Sequence, residues 1–523
     1  MLELAFHIIL MIAYAAYTAV QAVYYTHMLQ LNSYRPERYL KWCRQNMGRL
    51  FGFSRVLFPI LTVAVGVILA AMALSPAWIY GAAAICGVLG VPLNWPQRAK
   101  KPLVVTSRVK RLFVTLTVLY LLLSLILWFL SPLAVAVIYA AWALLLWLWV
   151  LVANLLNFPA EKMVAGWYIS DARKKLQSMP ELIVIGITGS YGKTSTKNFL
   201  HALLSARYNV LMTPESFNTT MGVVRTVRER LKPSHQIFIV EMGAKNPGDI
   251  KEICDLVQPR YGMITSIGEQ HLETFHTVDN IIKTKFELAD SLPENGIVFL
   301  NADNEYIRQH PVAGQTVTYG VAMDSSAQYS ASDIEVDRQG SRFTVSAPNG
   351  EKAAFITKLL GAHNIQNLVG CIAVAHTLGI PLSELVYPVR LLKPVQHRLQ
   401  LLPNGFIDDA YNANPAGFRS ALDVLKSFDA QRVLVTPGMV ELGDRQNPLN
   451  RELGEYAADC CDYAILVGEK QAPPLKEGLL SGGFPADRIC VVTTLQDGIA
   501  HLQTLPTAER RIVLLENDLP DNF

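Results

Sequence analysis

The stretch GITGSYGKTSTKNFL, from Gly186 to Leu200, decides the fold of the larger part of this chain. It follows the apolar, β-rich run ELIVIGITG and continues into a segment with apolar residues at helical spacing, namely Phe199, Leu200, Leu203 and Leu204. A strand, a glycine turn and a helix in this order are the context in which a phosphate-binding loop occurs. A strict Walker A pattern has glycine at the position of Ile187, so the general motif is missed by one residue. The sequence still predicts a nucleotide-binding α/β domain here.

The loop residues have the chemistry that a nucleoside triphosphate needs. Gly189 and Gly192 allow backbone amides to curl around phosphate oxygens at the start of a helix. Lys193 can pair with the β- and γ-phosphates, and Thr194 can ligate Mg²⁺. Glu241 ends the apolar run QIFIVEMGA, where a second carboxylate on the magnesium side is expected. The alternative is a purely structural glycine turn, which Gly-Lys-Thr in this context disfavours.

Composition divides the chain into a membrane part and a soluble part. Of the 523 residues, 51% are hydrophobic and only 17% are charged, and the apolar excess lies almost entirely before residue 158. A net charge of +3 gives no argument for nucleic-acid binding. The seven cysteines form no CxxC pair and have no histidine nearby at metal spacing, which argues against a zinc site or a disulfide framework. Scattered free thiols fit a reducing cytosol.

The membrane part contains apolar segments that approach the ~20 residues needed to cross a bilayer. We predict five transmembrane helices, at about 4–25, 56–74, 78–93, 112–130 and 133–156. A signal peptide is the alternative for the first segment, but this segment has no basic start and no small-residue cleavage site. The third segment is short and contains glycine, so it could instead be re-entrant, which would leave four spans.

Charge predicts the orientation of these spans. The basic residues of the connections lie after the first span (Arg35, Arg38, Lys41, Arg44, Arg49, Arg55) and after the third (Arg98, Lys100, Lys101, Arg108, Lys110, Arg111). Positively charged loops stay in the cytoplasm. Five spans put both loops and everything after residue 157 on that side, whereas four would strand one basic loop outside. We therefore expect a multi-pass protein of the inner cell membrane with cytoplasmic catalytic domains, joined by a linker over 158–180 for which an interfacial helix is the alternative.

Polar residues also follow later apolar runs of the soluble part. His271 stands just past a predicted strand in YGMITSIGEQHLETF, where an isolated histidine usually has a structural role. Lys283 and Lys285 lie in the helical stretch NIIKTKFELAD, whose periodicity alone indicates a solvated face. The segments LLGAHNIQN and PVQHRLQLLPNGFIDDAYNANP concentrate amide, guanidinium and carboxylate groups beside short strands, which composition does not explain.

Taken in order, eight motifs resemble those of the Mur ligases, the ATP-dependent amide-bond ligases of peptidoglycan precursor synthesis. They are TGSYGKTST, EMGA, IGEQHLE, KTKFELAD, NAD, GAHNIQN, HR and DDAYNANP. DDAYNANP and ELG resemble the branch that adds D-alanyl-D-alanine to UDP-N-acetylmuramoyl-tripeptide. The resemblance covers about 181–523. It implies a P-loop ATPase central domain over 181–395 and a smaller Rossmann-like α/β C-terminal domain over 396–523, after the helical region 1–157.

The resemblance also implies roles for particular residues. The nucleotide would be bound by Gly189, Ser190, Gly192, Lys193, Thr194 and Ser195 at the phosphates, by Asn367 at the adenine, and by Arg398 and Asp409 at the ribose and phosphates. One Mg²⁺ would be held by Thr194 and Glu241, and a second by His271 and by Lys285 in a carbamylated form. Lys193, Lys285 and His271 would be catalytic. The segment around Asn218 would contact the acyl substrate.

The mechanism that the resemblance implies has two steps: a substrate carboxylate attacks the γ-phosphate of ATP to give an acyl phosphate, and an amine then displaces the phosphate. Three departures concern substrate recognition. The membrane region stands where the family has a UDP-binding domain, VTPGMVELG has Pro437 and Gly438 where Gly-Asp is usual, and the chain ends LLENDLPDNF in place of a Lys-Gly-Ser type of ending. ATP chemistry is therefore more firmly implied than the substrate, and the partners expected are a cell-wall carboxylate, an amine donor and the lipid bilayer.

Two other functions are compatible with the sequence. A ligase of this type could act on another carboxylate, such as a polyglutamate-type polymer or a lipid-linked precursor. Alternatively, the nucleotide domain could regulate a membrane transporter or sensor. The predicted spans contain almost no ionisable residue apart from His7, whereas transport paths usually need polar groups inside the membrane. The ligase interpretation is therefore favoured.

Overall fold

The computed structural model of the chain describes residues 2–95, 102–215, 217–269, 272–322, 326–337, 340–410, 415–440, 442, 445–468, 472–506 and 508–517. The chain forms two compact units, Met1–Trp167 and Tyr168–Phe523. We refer to them as the helical unit and the α/β unit. Each has its own buried apolar core.

The helical unit contains α1 (Leu2–Leu31), α2 (Pro36–Gln45), α3 (Met47–Leu50), α4 (Phe53–Ala71), α5 (Pro76–Leu93), α6 (Ser107–Leu127), α7 (Pro132–Leu144) and the first part of α8 (Leu146–Gln177). The part of α8 after Trp167 belongs to the α/β unit. Tyrosines fill much of the interior of the helical unit, among them Tyr14, Tyr17, Tyr25, Tyr39 and Tyr139. Many large aliphatic and aromatic side chains instead lie on the outside, including Ile12, Ile68, Leu125 and Phe129. An apolar exterior of this extent is unusual for a protein surface in water.

Four helices of this unit are long and apolar enough to cross a membrane, namely α1, α4, α5 and α6. They coincide with the first four predicted spans. The fifth predicted span, 133–156, is not one continuous helix. It is divided between α7 and α8, whose axes meet at a bend of 73°. The two helices give a fifth span only if they are counted together as one broken span. No proline or glycine lies near the bend, so the sequence carries no signal for it. The predicted linker is helical as far as Gln177.

The α/β unit contains a nine-stranded sheet with the order β2-β3-β1-β4-β5-β6-β7-β8-β9. The strands are β1 (Ile183–Thr188), β2 (Val210–Met212), β3 (Ile237–Glu241), β4 (Tyr261–Ile264), β5 (Ile297–Asn301), β6 (Gln315–Gly320), β7 (Tyr329–Asp337), β8 (Gly340–Ser346) and β9 (Lys352–Thr357). All neighbours are parallel except β7–β8 and β8–β9. The sheet thus ends in an antiparallel extension that the sequence motifs do not predict.

Helices cover both faces of this sheet, which explains why its central strands are apolar on both sides. The helices are α9 (Lys193–Leu204), α10 (Thr220–Arg230), α11 (Asp249–Val257), α12 (Leu272–Phe275), α13 (Val278–Asp290), α14 (Glu305–Arg308), α15 (Ala362–Thr377) and α16 (Leu382–Arg390). Phe199 and Leu203 of α9 and Ile365 of α15 belong to the same buried cluster. Because β1 is parallel to both β3 and β4, the carboxyl ends of these three strands meet at one edge.

A second sheet has six strands in the order β10-β11-β15-β12-β13-β14, all parallel except the pair β10–β11. Its strands are β10 (Gln400–Leu401), β11 (Phe406–Asp409), β12 (Gln431–Thr436), β13 (Tyr463–Val467), β14 (Ile489–Val492) and β15 (Arg511–Glu516), with helices α17 (Pro415–Lys426), α18 (Gln446–Ala457), α19 (Ala472–Ser481) and α20 (Leu495–Leu502). The two sheets confirm the predicted α/β class of the soluble part.

Candidate nucleotide-binding site

At two positions, the loop between β1 and α9 has a backbone conformation that only glycine adopts readily. Gly189 has φ +148° and Gly192, directly before α9, has φ +81°. A Cβ atom on Gly189 would lie 2.1 Å from Oγ1 of Thr265, and one on Gly192 would lie 2.8 Å from Oδ1 of Asn367. Both glycines are therefore required, and the loop leaves the positive end of α9 facing the turn, as a phosphate site needs.

Lys193 folds back over this loop. Its Nζ atom donates hydrogen bonds to the carbonyl oxygens of Gly189 at 2.7 Å and Ser190 at 3.1 Å. Burial lowers the pKa of Lys193 to about 8, although the charge of Glu241 opposes the shift. The hydroxyl of Ser190 donates to the carbonyl oxygen of Gly268 at 3.0 Å, so this side chain ties the loop to the segment after β4. The predicted phosphate-binding residues are thus gathered at one turn.

Glu241, at the end of β3, lies against the start of α9. Oγ1 of Thr194 donates to Oε1 of Glu241 at 3.2 Å, and Nδ2 of Asn218 donates to the same oxygen at 3.1 Å. Nζ of Lys197 lies 2.9 Å from Oε2, and both side chains of this ion pair are 1% exposed. Burial favours the protonated acid, but the charges of Lys197 and Lys193 hold the pKa of Glu241 below its usual value. An ionised carboxylate beside a hydroxyl is a ligand set that Mg²⁺ accepts.

Sequence reasoning missed Lys197. A signal was present, because Lys197 stands four residues after Lys193 and therefore on the same face of α9. Its role depends on a contact with β3, however, and spacing along a helix does not reveal which strand the helix covers.

We expect Lys197→Met to destabilise the α/β unit by about 3 kcal/mol, because it leaves the buried charge of Glu241 without its ion-pair partner. Thermal unfolding of the full chain in detergent, followed by circular dichroism, measures the loss. Lys251→Met is the matched control: Lys251 pairs with Asp255 at 2.7 Å, but both side chains are more than half exposed. An exposed pair of this kind contributes little to stability because water screens it, so this variant should unfold close to the wild-type temperature. Equal losses in the two variants would contradict the assignment.

Lys285 lies on the buried side of α13 and is 3% exposed, whereas Lys283 on the same helix is exposed. The expectation of a solvated face thus holds for one lysine and is wrong for the other. Burial, and then the charge of Lys193, place the pKa of Lys285 well below its usual value. A neutral amine is the form that can add CO₂, so the environment fits the carbamate that the resemblance implies. The predicted metal-binding His271 lies outside the described residues.

A cavity of about 420 Å³ lies beside the loop. Its walls include Gly192, Ser195, Asn301, Asp303, His363, Gln366, Asn367, Arg398, Asp409, Arg445 and Glu516. The predicted residues Asn367, Arg398 and Asp409 therefore line the same cavity as the loop residue Gly192. Arg398 and Asp409 come from the part of the chain that forms the second sheet. The backbone amide of Leu399 donates to Oδ1 of Asp409 at 3.0 Å, and burial raises the pKa of Asp409 to about 6. Glu516 was not predicted.

A larger cavity, of about 1010 Å³, is lined by Thr194 and by further residues of α9. Its walls are mostly apolar and include Phe199, Ala202, Ala206, Tyr387, Leu391, Leu392, Pro394 and Val395, with Glu215, Lys393, His397 and Arg398 as charged or titratable members. Thr194 and Ser195, adjacent on α9, thus line different cavities.

These residues fit a nucleoside triphosphate with a divalent cation. The glycine cradle and Lys193 suit phosphate, and Glu241 with Thr194 offers oxygen ligands. Among the described residues, no cluster of three or more His, Cys, Asp or Glu side chains could hold a metal by itself. A cation at this site would therefore depend on the phosphates, on water or on a modified lysine for its remaining ligands.

Comparison with known proteins agrees with the geometry. The model of the Mur ligase middle domain matches residues 187–375, and that of the Mur ligase glutamate ligase domain matches 397–515. The UDP-N-acetylmuramoyl-tripeptide–D-alanyl-D-alanine ligase of Escherichia coli (strain K12) is 32% identical over 329 residues, which cover 62% of this chain and 72% of the relative. The enzyme with the same name from Bacillus subtilis (strain 168) is 32% identical over 321 residues, covering 60% and 68%.

Solved structures lead to the same family. MurF from Acinetobacter baumannii superposes with a TM-score of 0.61 at 28% identity, covering 68% of this chain and 77% of that one. The MurF ligase from Thermotoga maritima in complex with ADP also gives a TM-score of 0.61, at 25% identity, covering 68% of this chain and 80% of that one. The chain therefore belongs to the Mur ligase family and is a ligase of its ADP-forming type.

Proposed function

We propose that this chain is a membrane-anchored, ATP-dependent ligase that adds D-alanyl-D-alanine, or an amino acid, to a muramoyl-peptide precursor of the cell wall. The observation that carries the proposal is the joining of Lys193, Thr194 and Glu241 at one phosphate loop. The names of the relatives from E. coli and B. subtilis support the tripeptide and the dipeptide as the two substrates.

In the first step, an oxygen of the substrate carboxylate attacks the γ-phosphorus of ATP, the bond to the β-phosphate oxygen breaks, and ADP leaves an acyl phosphate behind. Lys193 would spread the charge that develops on the transferred group. Thr194 and Glu241 would hold Mg²⁺, which supplies further positive charge to the phosphates when bound. Lys197 keeps Glu241 ionised and oriented for that task.

In the second step, the amine attacks the acyl carbon, loses a proton and expels phosphate. Arg398, Asp409 and Arg445 come from the part of the chain that forms the second sheet, and they would complete the wall of the smaller cavity around the nucleotide. Such enclosure excludes water, which would otherwise hydrolyse the acyl phosphate.

The larger cavity is suited to the acyl substrate. Thr194, the residue after the phosphate-loop lysine, lines this cavity, so a carboxylate placed there would lie near the γ-phosphate. Asn218, which bonds to Glu241, comes from the segment that the family resemblance assigns to this substrate. Mostly apolar walls of this size accept an extended substrate and leave few polar groups to fix its orientation.

Purified full-length chain in detergent, supplied with ATP, Mg²⁺, UDP-N-acetylmuramoyl-tripeptide and D-alanyl-D-alanine, should release phosphate only when both the carboxylate and the amine are present. Mass spectrometry of the product should show the dipeptide joined to the tripeptide. Turnover with a lipid-linked muramoyl peptide but not with the UDP-linked one would move the assignment to a lipid-linked substrate. Phosphate release independent of any amine would contradict ligation.

The membrane anchor is supported by the apolar exterior of α1, α4, α5 and α6 and by the basic connections of the sequence. We expect a reporter fused after Phe523 to be active only in its cytoplasmic form, because the basic loops keep the α/β unit inside. Paired fusions with a cytoplasmic reporter and a periplasmic reporter in a bacterial host measure this. Activity of the periplasmic reporter would overturn the proposed orientation.

A further inference from the structure

Glu516 is a buried acid at the carboxyl end of β15, beside a second acid. It is 1% exposed, lines the 420 Å³ cavity, and neither of its carboxyl oxygens has a hydrogen-bond partner among the residues that the structure describes. Asp409 is its register partner on the adjacent parallel strand β11. Register partners on neighbouring strands stand about 5 Å apart and point to the same face. The two carboxyl groups therefore form a pair at the cavity wall.

The pair lies on the nucleoside side of the phosphate loop. In a loop of this type, the lysine and the following threonine bind the terminal phosphates and their cation. Thr194 lines the larger cavity, whereas Ser195 and Asn367 line the smaller one together with Asp409 and Glu516. A nucleotide whose terminal phosphates lie at Lys193 and Thr194 would thus extend its sugar and base into the space that contains the carboxyl pair.

We propose that Glu516, together with Asp409, recognises the vicinal hydroxyls of the nucleotide's ribose, which makes Glu516 a binding residue of this site. The proposal rests on the ATP-dependent function proposed above. It concerns Glu516 because this buried acid lines the cavity and is the register partner of Asp409.

The charge state of the pair favours hydroxyls over a cationic ligand. Burial, and then the charge of Asp409, place the pKa of Glu516 well above its usual value, which favours its neutral acid form. A neutral carboxyl group offers one donor and one acceptor, and each hydroxyl of a ribose does the same. An ammonium group has only donors and gains most from an ionised carboxylate. Arg398, which lines the same cavity, already faces the charge of Asp409.

Binding of ADP and of 2′,3′-dideoxy-ADP to the full-length chain in detergent with Mg²⁺, measured by titration calorimetry, tests the proposal. For the wild type, loss of both hydroxyls should weaken binding by about tenfold or more, the cost of two hydrogen bonds with buried partners. Methionine has a side chain of similar length to glutamate but no carboxyl group. Glu516→Met should therefore weaken ADP binding by about tenfold, and the difference in affinity between ADP and the dideoxy analogue should become smaller. Glu516→Gln keeps a donor and an acceptor and should stay within about threefold of the wild type.

Asp462→Asn is the control. Asp462 directly precedes β13, at the amino ends of the strands of this sheet, and it pairs with Arg432 at 2.7 Å. Glu516 lies at the carboxyl ends of the same strands. The control variant should leave both affinities unchanged. The proposal would be overturned if Glu516→Met showed the same loss of affinity between ADP and the dideoxy analogue as the wild type. It would also be overturned if this variant bound ADP with wild-type affinity but had a raised KM for the amine. If the wild type binds no ADP at all, the proposed function itself fails; if it binds ADP and only the Glu516 effects are missing, the inference about the ribose fails alone.

Discussion

Replacement of Lys193 by alanine is expected to lower ATP-dependent turnover by about a thousandfold, the cost of removing one charged group from a transition state that it contacts. Nζ of Lys193 lies over the loop, 2.7 Å from the carbonyl oxygen of Gly189, and so faces the place where phosphates would bind. Its ammonium group bonds to the carbonyl oxygens of Gly189 and Ser190 in the loop itself, so its removal should leave folding and membrane insertion intact. Phosphate release in the presence of both substrates measures the effect.

The control for this variant is Lys251→Ala, which removes an exposed lysine from α11 and should retain wild-type turnover. Circular dichroism and membrane fractionation of both variants would show whether the chain is folded and inserted. Turnover within a few-fold of the wild type in Lys193→Ala would remove this loop from the mechanism, even if the chain still binds nucleotide.

The parts of the site that the sequence predicted are those that a short segment determines. A strand, two glycines and a helix follow one another between Ile183 and Leu204, and the two positive φ angles can be anticipated from the motif alone. Glu241 was predicted for the same reason, since a polar residue at the end of an apolar run projects from the carboxyl edge of a parallel sheet. Local pattern is sufficient where one segment supplies both the geometry and the chemistry.

The parts that were missed depend on contacts between distant segments. Lys197 is an ordinary helix residue until α9 packs against β3 and brings its ammonium to 2.9 Å from Glu241. Glu516 becomes a partner of Asp409 only because β15 pairs with β11 across more than a hundred residues of chain. No periodicity or composition encodes which strands become neighbours, so such pairs require the fold.

The helical unit shows the same limit for backbone shape. Hydropathy was sufficient to find α1, α4, α5 and α6, because the length of an apolar segment is a local property. The 73° bend between α7 and α8 lies in the run ALLLWLWV, where every residue is compatible with a continuous helix. The residue types in this run therefore do not predict the bend.

Lys285 gives the second prediction with a large effect, because two possible roles of a buried lysine predict opposite outcomes. An unmodified ammonium next to a cation and a triphosphate could serve only as a phosphate clamp. A carbamate instead reverses the sign of the charge and supplies the oxygen ligands that Mg²⁺ prefers. The burial of Lys285 and the nearby charge of Lys193 both favour the neutral amine, the species that reacts with CO₂.

We therefore expect Lys285→Ala to lower turnover by about a thousandfold, and short-chain carboxylic acids added to the assay to restore part of it by filling the vacant oxygen position. Lys285→Arg should remain inactive, because a guanidinium keeps its positive charge and forms no stable carbamate. Lys283→Ala, two residues earlier on the exposed side of α13, is the matched control and should retain wild-type turnover. An active Lys285→Arg enzyme would show that the site needs positive charge, and the carbamate would then be excluded. Rescue of Lys285→Ala by acetate but not by methylamine would show that the site needs a negatively charged oxygen ligand, as a carbamate provides. Rescue by methylamine alone would show that it needs a positive charge.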